Sequence, residues 1–265
     1  MAHPLVYPIT TEQRATSTSD LAKQAAAKGA PSGSGFLAIE QTAGRGRRGR
    51  RWSSQKGGMY LSVLLRPTAK KKYWFALSFA ASLAALDTIR HQLSRHFDNQ
   101  HMPETGLKWP NDVLMSGGKI AGILLESEGQ TLIVGSGINI APVQAFVRQR
   151  KNHGVSNHQV VKTAALADIW PETAGILPTP HQLARCFMAR LMYWQNKFDQ
   201  IGFAPIRDAW VDNALFLGKT ISIWNGTKKI SGVFNDIGMD GALLLLDDSG
   251  HIHHITTGDV QLLDN

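Results

Sequence analysis

Residues 41–52 read Gln-Thr-Ala-Gly-Arg-Gly-Arg-Arg-Gly-Arg-Arg-Trp and lie between two strand-like segments, Gly35–Glu40 and Met59–Leu65. Five arginines and three glycines fall within eight of these residues, and Trp52 follows at once. Guanidinium groups at this density repel one another, so we expect this arginine loop to stay mobile until an anion binds. Glycines let backbone N–H groups approach an anion, and arginine grips phosphate or carboxylate through paired hydrogen bonds. Because tryptophan adds an apolar ring face, the loop predicts a site for a phosphate-bearing ligand with an aromatic part.

Two other interpretations of the arginine loop stay open on sequence alone. One is a solvent-exposed basic run, and the other is RNA binding, although arginine–glycine segments of that kind usually form longer repeats. A dinucleotide-binding fingerprint is a poorer match. Gly44, Gly46 and Gly49 fit its spacing, but no helical pattern follows, and the next acidic residue, Asp87, lies far beyond the required offset of about 20 residues.

The chain is basic, and its charge is unevenly divided. Of 265 residues, 43% are hydrophobic and 18% are charged, which is typical of a globular protein with one large and one small domain. Residues 1–214 carry 25 basic and 14 acidic side chains, whereas residues 215–265 carry 3 basic and 6 acidic ones. The positive charge of the first part suits an anionic ligand or an acidic partner, and charge alone would also suit nucleic acid.

Cysteine usage indicates a reducing compartment, and hydropathy indicates neither a secretory signal nor a membrane span. The single cysteine, Cys186, excludes an internal disulfide, and its helical segment favours a buried thiol over a nucleophile. Residues Met1–Pro8 lack the basic start and apolar core of a secretory signal, and no apolar run reaches membrane-spanning length. We therefore expect a cytoplasmic protein without membrane contact.

Helical patterns recur through the first part of the chain. Thr16–Asp20 offers capping side chains before a helix predicted at Leu21–Lys28, although the same hydroxyls could also contact a ligand. Longer helices are predicted at Tyr73–Gln92 and Thr179–Phe203. Irregular structure is expected in two further segments, residues 1–15 and 141–180.

Lysine and glycine are concentrated between residues 106 and 139. Leu107–Leu114 is predicted as a strand ended by a proline turn, Gly117-Gly118 as a hairpin turn, and Lys119–Glu126 as the returning strand. A further strand, Thr131–Val134, runs into a glycine-rich segment. A lysine on a strand usually faces solvent. Because Lys119 has glycines on either side, it is also a candidate point-charge donor to carboxylate or phosphate.

From Gly218 the pattern changes to short strands with tight turns between them. The first hairpin turn is predicted at Asn225-Gly226. The spacing indicates five strands forming a small barrel. We therefore divide the chain into a first domain at residues 1–214 and a second at 215–265. Four of the five strands are predicted at Thr220–Trp224, Lys229–Asn235, Ala242–Asp247 and His251–Thr256.

Four motifs, in order and at similar spacing, make the chain resemble the biotin protein ligases. They are Gly-Arg-Gly-Arg-Arg-Gly-Arg-x-Trp at Gly44–Trp52, Lys-Trp-Pro-Asn-Asp at Lys108–Asp112, Lys-x-Ala-Gly-Ile-Leu-x-Glu at Lys119–Glu126 and Gly-x-Gly-x-Asn at Gly135–Asn139. The resemblance implies an α+β fold. A mixed β-sheet catalytic domain flanked by helices, like that of class II aminoacyl-tRNA synthetases, would precede a small C-terminal SH3-like β-barrel. The resemblance to the family spans residues 16 to about 260.

Some members of the family begin with a winged helix-turn-helix that binds DNA. Only fifteen residues precede Thr16, which leaves no room for such a domain. The chain therefore resembles the monofunctional class, and no DNA binding is expected.

The resemblance also implies a two-step reaction. The carboxylate of biotin attacks the α-phosphate of Mg-ATP to give biotinoyl-5′-adenylate and pyrophosphate, and a lysine of a biotin carboxyl carrier protein then takes the biotinoyl group. ATP and Mg²⁺ are thus expected beside biotin. Because the first step joins two anions, catalysis must depend on positioning and on cations. The residues with catalytic roles by resemblance are Arg45, Arg47 and Lys119, of which Lys119 would bridge the two anions.

The same resemblance assigns binding residues. Biotin is expected to contact Ser17, Thr18, Gln41, Gly44, Arg45, Arg47, Lys119, Gly122, Gly135 and Gly137. ATP or the adenylate is expected to contact Arg48, Arg50, Trp52, Lys108, Asn111, Asp112 and Asn139. Asp112 is also the candidate to organise Mg²⁺ or Lys119.

Several points stay open at this stage. Ser53 stands where relatives often have an aromatic residue, so closure over the adenylate is expected to differ. No side chain is assigned to stack on adenine, and Trp170 is only a candidate. The alternatives in function are a lipoate–protein ligase and an arginine-rich RNA-binding protein. The expected oligomeric state is a monomer or a homodimer.

Overall fold

A computed structural model describes residues 7–98, 100–142, 146–152, 155–225 and 228–263. The strands of its central sheet are β1 (Ile9–Glu12), β2 (Gly35–Ala38), β3 (Gly58–Leu65), β4 (Thr105–Lys108), β5 (Asp112–Met115), β6 (Gly118–Glu128) and β7 (Thr131–Asn139). Their order is β1-β2-β3-β7-β6-β5-β4. Strands β1 and β2 pair in parallel, and the other neighbours pair antiparallel. This mixed sheet, with helices on its faces, confirms the predicted α+β class.

Two predictions for the central sheet were wrong in detail. Strand β1 forms where irregular structure was expected, because only Ile9 of its four residues faces inward and no alternating hydrophobic signal results. The predicted strand Leu107–Leu114 is two antiparallel strands, and Trp109-Pro110-Asn111 makes the turn between them. Residues 1–6, which entered the expectation about a secretory signal, lie outside the described residues.

Helix α1 (Thr18–Ala27) covers one face of the sheet. Ser17 caps its start, and the Ser17 Oγ accepts a hydrogen bond from the Ser19 backbone N–H at 3.3 Å. Ala22 of this helix packs against a small apolar cluster made by Phe36, Leu64 and Ile133. Beyond the N-terminus of α1, the same face of the sheet carries small residues in place of apolar ones. An example is the pair formed by Ser62 of β3 and Gly135 of β7. The small residues leave room for a cavity.

Three helices cover the opposite face: α2 (Ala76–Leu93), α3 (Pro180–Ile201) and α4 (Ala204–Val211). A reciprocal capping box between Thr179 and Gln182 starts α3. The helix ends at Gly202, whose φ of +79° is the left-handed conformation that glycine favours. The helix predicted as far as Phe203 was therefore slightly too long, and α4 was not predicted. The main hydrophobic core lies between these helices and the sheet.

The remaining strands form two smaller sheets. Strands β8 (Phe146–Asn152) and β9 (Val155–Val161) pair as an antiparallel hairpin within the segment expected to be irregular. The C-terminal strands are β10 (Thr220–Asn225), β11 (Lys228–Ile237), β12 (Leu243–Leu246), β13 (Ile252–Ile255) and β14 (Asp259–Leu262). They form an antiparallel sheet in the order β13-β12-β11-β10-β14, so the expected number of strands is found. Asn225 pairs with Lys228, and Gly226 of the predicted turn lies outside the described residues.

The C-terminal sheet rests on the end of the central sheet. The Trp109 indole N–H, in the β4–β5 turn, donates a hydrogen bond to the Gly241 carbonyl at 3.0 Å. Arg207 of α4 binds the Asp236 carboxylate and the Ile237 carbonyl of β11. These contacts fix the C-terminal sheet beside the turn that carries Asn111.

Among the residues described above, no helix combines the length and the apolar character needed to cross a lipid bilayer.

Candidate active site

A cavity of about 300 Å³ lies on the α1 face of the central sheet, under the arginine loop. Most of the predicted site residues line it, although they come from segments far apart in the chain. Three predicted residues, Gly44, Arg48 and Lys108, do not. The predicted residues that line the cavity are Ser17, Thr18, Gln41, Arg45, Arg47, Arg50, Trp52, Asn111, Asp112, Lys119, Gly122, Gly135, Gly137 and Asn139.

One end of the cavity is a cluster of hydroxyl and amide groups. The Gln41 Oε1 accepts hydrogen bonds from the Thr18 backbone N–H at 2.8 Å and from the Thr18 hydroxyl at 3.1 Å. The Thr18 hydroxyl also lies 2.8 Å from the Ser62 Oγ, and the Gln41 amide donates to the Ser54 Oγ at 2.8 Å. Ser17 caps α1 while it lines the cavity, so the capping and ligand roles do not exclude each other. This cluster offers both donors and acceptors to a polar ligand group.

Sequence reasoning missed Ser62, which is fully buried and lines the cavity. Its position opposite Gly135 is set by the register of β3 and β7. A serine within an apolar strand carries no local signal of this kind, because only strand pairing brings it beside Thr18. The other lining residues that were not assigned are Ser19, Gly46, Arg51, Ser53, Tyr60, Leu61, Ile123, Leu124, Ser136 and Thr163.

The Trp52 ring of the arginine loop packs directly on the paired strands β6 and β7. Gly122 and Gly137 face each other across these strands, and the Trp52 ring lies on both. A Cβ atom at Gly137 would stand 2.6 Å from the Trp52 indole, and one at Gly122 would stand 3.0 Å from it. Gly135 is less crowded, with its nearest neighbour at 3.5 Å. Trp52 therefore lies over the glycines assigned to biotin, rather than only beside the nucleotide.

Gly44 does not reach the cavity, but it determines how tightly the arginine loop is folded. A Cβ atom there would come within 2.4 Å of the Ser54 Oγ and 2.6 Å of the Trp52 carbonyl. We expect any larger residue at this position to push the loop away from the sheet.

Lys119 lies at the centre of the cavity. Its Nζ is 2.5 Å from the Asp112 Oδ1 and 5.0 Å from the centre of the Trp52 ring. Both charged side chains are largely buried, at 19% and 14% exposed. Asp112 thus forms an ion pair with Lys119, the contact that one of its two expected roles requires. Lys119 presents its ammonium group to any anion in the cavity, and the Asp112 carboxylate partly neutralises the charge of that ammonium group.

Two asparagines hold the backbone around Lys119. The Asn139 amide donates to the Ala164 carbonyl at 2.9 Å and to the Lys119 carbonyl at 3.3 Å. The Asn111 amide donates to the Ile123 carbonyl. Both amide nitrogens are thus used to shape β6, while the Asn111 Oδ1 accepts from the Arg47 guanidinium at 3.4 Å.

Arg47 is the loop arginine that reaches Asn111 and the charge of Asp112 at the β4–β5 turn. Burial lowers the pKa of its guanidinium, and the nearby charges of Arg48 and Arg50 add to this effect. A cation taken out of water and pressed by like charges is stabilised when an anion arrives. Arg47 is therefore well placed to receive phosphate.

Arg48 and Arg50 point toward the C-terminal sheet. The Arg48 guanidinium donates to the Thr257 Oγ1 at 2.6 Å, and the Arg50 guanidinium lies 3.3 Å from the Asp259 carboxylate. Arg48 was assigned to the nucleotide, but its side chain contacts the C-terminal sheet instead, because an acidic strand end lies within reach. Arg50 still lines the cavity. Lys108 pairs in register with Asp112 without lining the cavity.

Replacing Asp259 with asparagine is expected to loosen the arginine loop. The change removes the carboxylate that faces Arg48 and Arg50, and a partly exposed ion pair of this kind contributes about 1 kcal/mol. We expect tryptic cleavage within residues 45–51 to become about fivefold faster. Asp248→Asn, an exposed position in the turn between β12 and β13, serves as the control. Equal cleavage rates for the two variants would show that the contact does not restrain the loop.

Trp170 lies in a different cavity. That cavity, of about 410 Å³, is lined by the C-terminal end of α2 and the N-terminal half of α3. The Trp170 ring packs edge-on against His96, with 4.6 Å between the two ring centres. The Trp170 indole N–H donates a hydrogen bond to the Gly175 carbonyl. Trp170 therefore does not line the candidate active-site cavity.

A metal site made by the protein alone is not evident. Within the described ranges, no group of three or more His, Cys, Asp or Glu side chains could hold a metal ion. Asp112 is a single carboxylate already paired with Lys119.

Comparisons with known proteins place the chain among relatives of known activity. Sequence profiles match over residues 11–141 for the Biotin/lipoate A/B protein ligase family and over residues 216–263 for the Biotin protein ligase C terminal domain. The biotin–[acetyl-CoA-carboxylase] ligase of Paracoccus denitrificans is 36% identical over 81% of this chain and 84% of its own length. The biotin–[acetyl-CoA-carboxylase] ligase of Mycobacterium tuberculosis is 31% identical over 94% of this chain and 86% of its own length. The biotin protein ligase from Aquifex aeolicus in complex with biotin and ATP aligns with a TM-score of 0.75 and 26% identity, covering 97% of this chain and 99% of that one.

Proposed function

The chain belongs to the biotin protein ligase family, and we propose that it is an ATP-dependent biotin–[acetyl-CoA-carboxylase] ligase. It forms biotinoyl-5′-adenylate from biotin and ATP, and then transfers biotin to a lysine of a biotin carboxyl carrier protein. The observation that carries the proposal is a single cavity with three complementary parts. A polar cluster at Thr18 and Gln41, the apolar ring of Trp52, and the Lys119 ammonium suit the ring, the chain and the carboxylate of biotin.

The polar cluster at Thr18, Gln41 and Ser17 binds the ureido ring. A ureido group has two N–H donors and one carbonyl acceptor, and hydroxyl and amide side chains can meet both needs. The valeryl chain then runs past Gly135, the least crowded of the three glycines, and beside the Trp52 ring toward Lys119. Its length brings the carboxylate from one end of the cavity to the other.

In the first step, a carboxylate oxygen of biotin forms a bond to the α-phosphorus of ATP, and the bond to the pyrophosphate oxygen breaks. Two anions must meet, so the reaction needs cations more than it needs a nucleophile or a base on the protein. Lys119 bridges the carboxylate and the α-phosphate, and Arg47 stabilises the charge that develops on the phosphate. Asp112 keeps the Lys119 ammonium in position.

In the second step, the amine of the acceptor lysine attacks the carbonyl carbon of the mixed anhydride. An amide bond forms, the bond to the AMP oxygen breaks, and the amine loses its proton to solvent. The cations that favoured the adenylate also stabilise AMP as the leaving group.

Mg²⁺ enters with ATP in this proposal. Mg²⁺ is usually held by one or two carboxylates together with substrate phosphates, so a single side chain such as Asp112 suffices on the protein side. The ion would add positive charge at the triphosphate.

The acceptor is proposed to be a biotin carboxyl carrier domain, and the enzyme to act in the cytoplasm as a monomer or a homodimer. No nucleic acid partner is proposed. The arginine loop is anchored within the fold by Asp20 and Asp259, which disfavours the alternative of an RNA-binding segment. RNA binding would instead show affinity that falls steeply with salt.

The experiment that tests the function is ATP–pyrophosphate exchange. We expect biotin to stimulate exchange strongly and lipoate to leave it at background, because lipoate lacks a ureido ring for the polar cluster. A purified biotin carboxyl carrier domain should then become biotinylated. Exchange that is indifferent to biotin would refute the assignment, and stimulation by lipoate would favour the lipoate–protein ligase alternative.

A further inference from the structure

Arg45 differs from the other arginines of the loop in the direction of its side chain. Its guanidinium turns toward α1 and binds Asp20 through two hydrogen bonds, of 3.0 Å and 2.6 Å. This paired geometry is the strongest arrangement between arginine and a carboxylate. The hydrogen bond raises the pKa of Arg45 and lowers the pKa of Asp20. Both side chains are about one-third exposed, so water screens part of the attraction.

A second carboxylate supports the same guanidinium. The Glu126 Oε2 of β6 lies 3.6 Å from the Arg45 Nη2, and the Glu126 Oε1 accepts from the Lys23 ammonium at 2.8 Å. Burial would raise the pKa of Glu126, but hydrogen bonds from Lys23 and Ser19 and the charge of Arg45 together lower it. Arg45 is thus bound by carboxylates from both α1 and β6.

Asp20 connects the arginine loop to the biotin end of the cavity. It lies in the first turn of α1, two residues after Thr18 of the polar cluster. We propose that Asp20 is a positioning residue that holds Arg45, and with it the N-terminal half of the arginine loop, over the ring of bound biotin. Glu126 assists it from β6. This proposal rests on the proposed function of the cavity.

The arginines of the loop then have different roles. The Arg45 guanidinium is already committed to carboxylates of the protein, so it anchors the loop and does not bind the phosphate. Arg48 and Arg50 reach the C-terminal sheet. Arg47 is then the loop arginine that meets the adenylate, beside Lys119.

The test measures kinetics and loop order in parallel. For Asp20→Asn we expect the KM for biotin to rise about tenfold, with kcat and the KM for ATP changed less than about twofold. Tryptic cleavage within residues 45–51 of the ligand-free protein should accelerate to a similar extent. Asp20→Glu, which keeps the charge, should restore the KM to within about threefold. Glu126→Gln should raise the KM about threefold and provides a second variant if Asp20→Asn folds poorly.

Asp98→Asn is the control, because it removes an exposed carboxylate that faces His101 and not the arginine loop. Asp20 also favours the N-terminus of α1 through its charge, and loss of that effect alone would lower the thermal midpoint without changing the KM or the cleavage rate. Such a result would overturn the proposal while wild-type exchange remained biotin-dependent. If wild-type exchange did not depend on biotin, the proposed function would fail, and the cleavage rates would still decide whether Asp20 anchors the loop.

Discussion

Replacing Lys119 with alanine is expected to lower the rate of biotin-dependent ATP–pyrophosphate exchange by about a hundred- to a thousandfold. Removal of one preorganised donor that faces developing charge commonly has an effect of this size. Lys119 is mostly buried at the centre of the cavity, and water cannot replace its ammonium with the same geometry. The loss should fall mainly on kcat, because the interaction is strongest when the carboxylate and the phosphate meet.

The Lys119→Ala variant also leaves the Asp112 carboxylate without its cation. A buried charge that loses its partner destabilises the fold, so part of the effect could come through stability. The double variant Lys119→Ala with Asp112→Asn removes that charge and should recover the thermal midpoint without recovering exchange. Lys162→Ala is the matched control, since the Lys162 ammonium donates to the Ser116 carbonyl and does not line the cavity. Near-normal exchange in Lys119→Ala would remove this residue from the mechanism.

Replacing Gly137 with valine is expected to reduce exchange at limiting biotin by at least about a hundredfold. A Cβ atom at this position would stand 2.6 Å from the Trp52 indole, so the branched side chain displaces the Trp52 ring from the strand. The displaced ring then enters the neighbouring space that is assigned to the valeryl chain. Overpacking of a tight site also costs about 1–3 kcal/mol before any ligand is added. The effect should appear chiefly as a higher KM for biotin. It can be measured by exchange and by calorimetric titration with biotin.

Two further variants show whether displacement of the Trp52 ring causes the loss of biotin affinity. Ile138→Val changes the other neighbour of Gly137 in β7, which pairs with Met59 and Ala121 in the core and does not line the cavity, so biotin binding should be preserved. Trp52→Ala combined with Gly137→Val should bind biotin better than Gly137→Val alone, because the indole no longer competes for the space. Unchanged biotin affinity in Gly137→Val would place the valeryl chain elsewhere.

The sequence predicted the local parts of the fold well. Strands β2, β3, β6 and β7, the long helices and the C-terminal strands follow hydrophobic periodicity and turn residues, which act over a few neighbours in the chain. The errors lie where local patterns are weak. Strand β1 has a single inward residue, and α4 directly follows the end of α3.

Site chemistry was also largely visible in sequence, because the arginine loop, Lys119 and the glycine-rich strands carry it in contiguous motifs. The expected mobility of the arginine loop, however, considered only its own charges. In the fold, carboxylates at Asp20, Glu126 and Asp259 approach three of its arginines. The mutual repulsion is thereby partly offset by groups that no local pattern could connect to the loop.

The amino-acid sequence by itself determined the α+β class, the family resemblance and the kind of ligand, because residue types and short spacings fix hydrogen-bonding capacity, charge and strand or helix period. Only the tertiary structure decided which side chain each loop arginine contacts. Arg45 turns to Asp20, 25 residues away, and Arg48 turns to Thr257, 209 residues away. Coulomb attraction depends on distance in space and not on separation along the chain, so these partners are defined only once the sheet, α1 and the C-terminal strands have packed together.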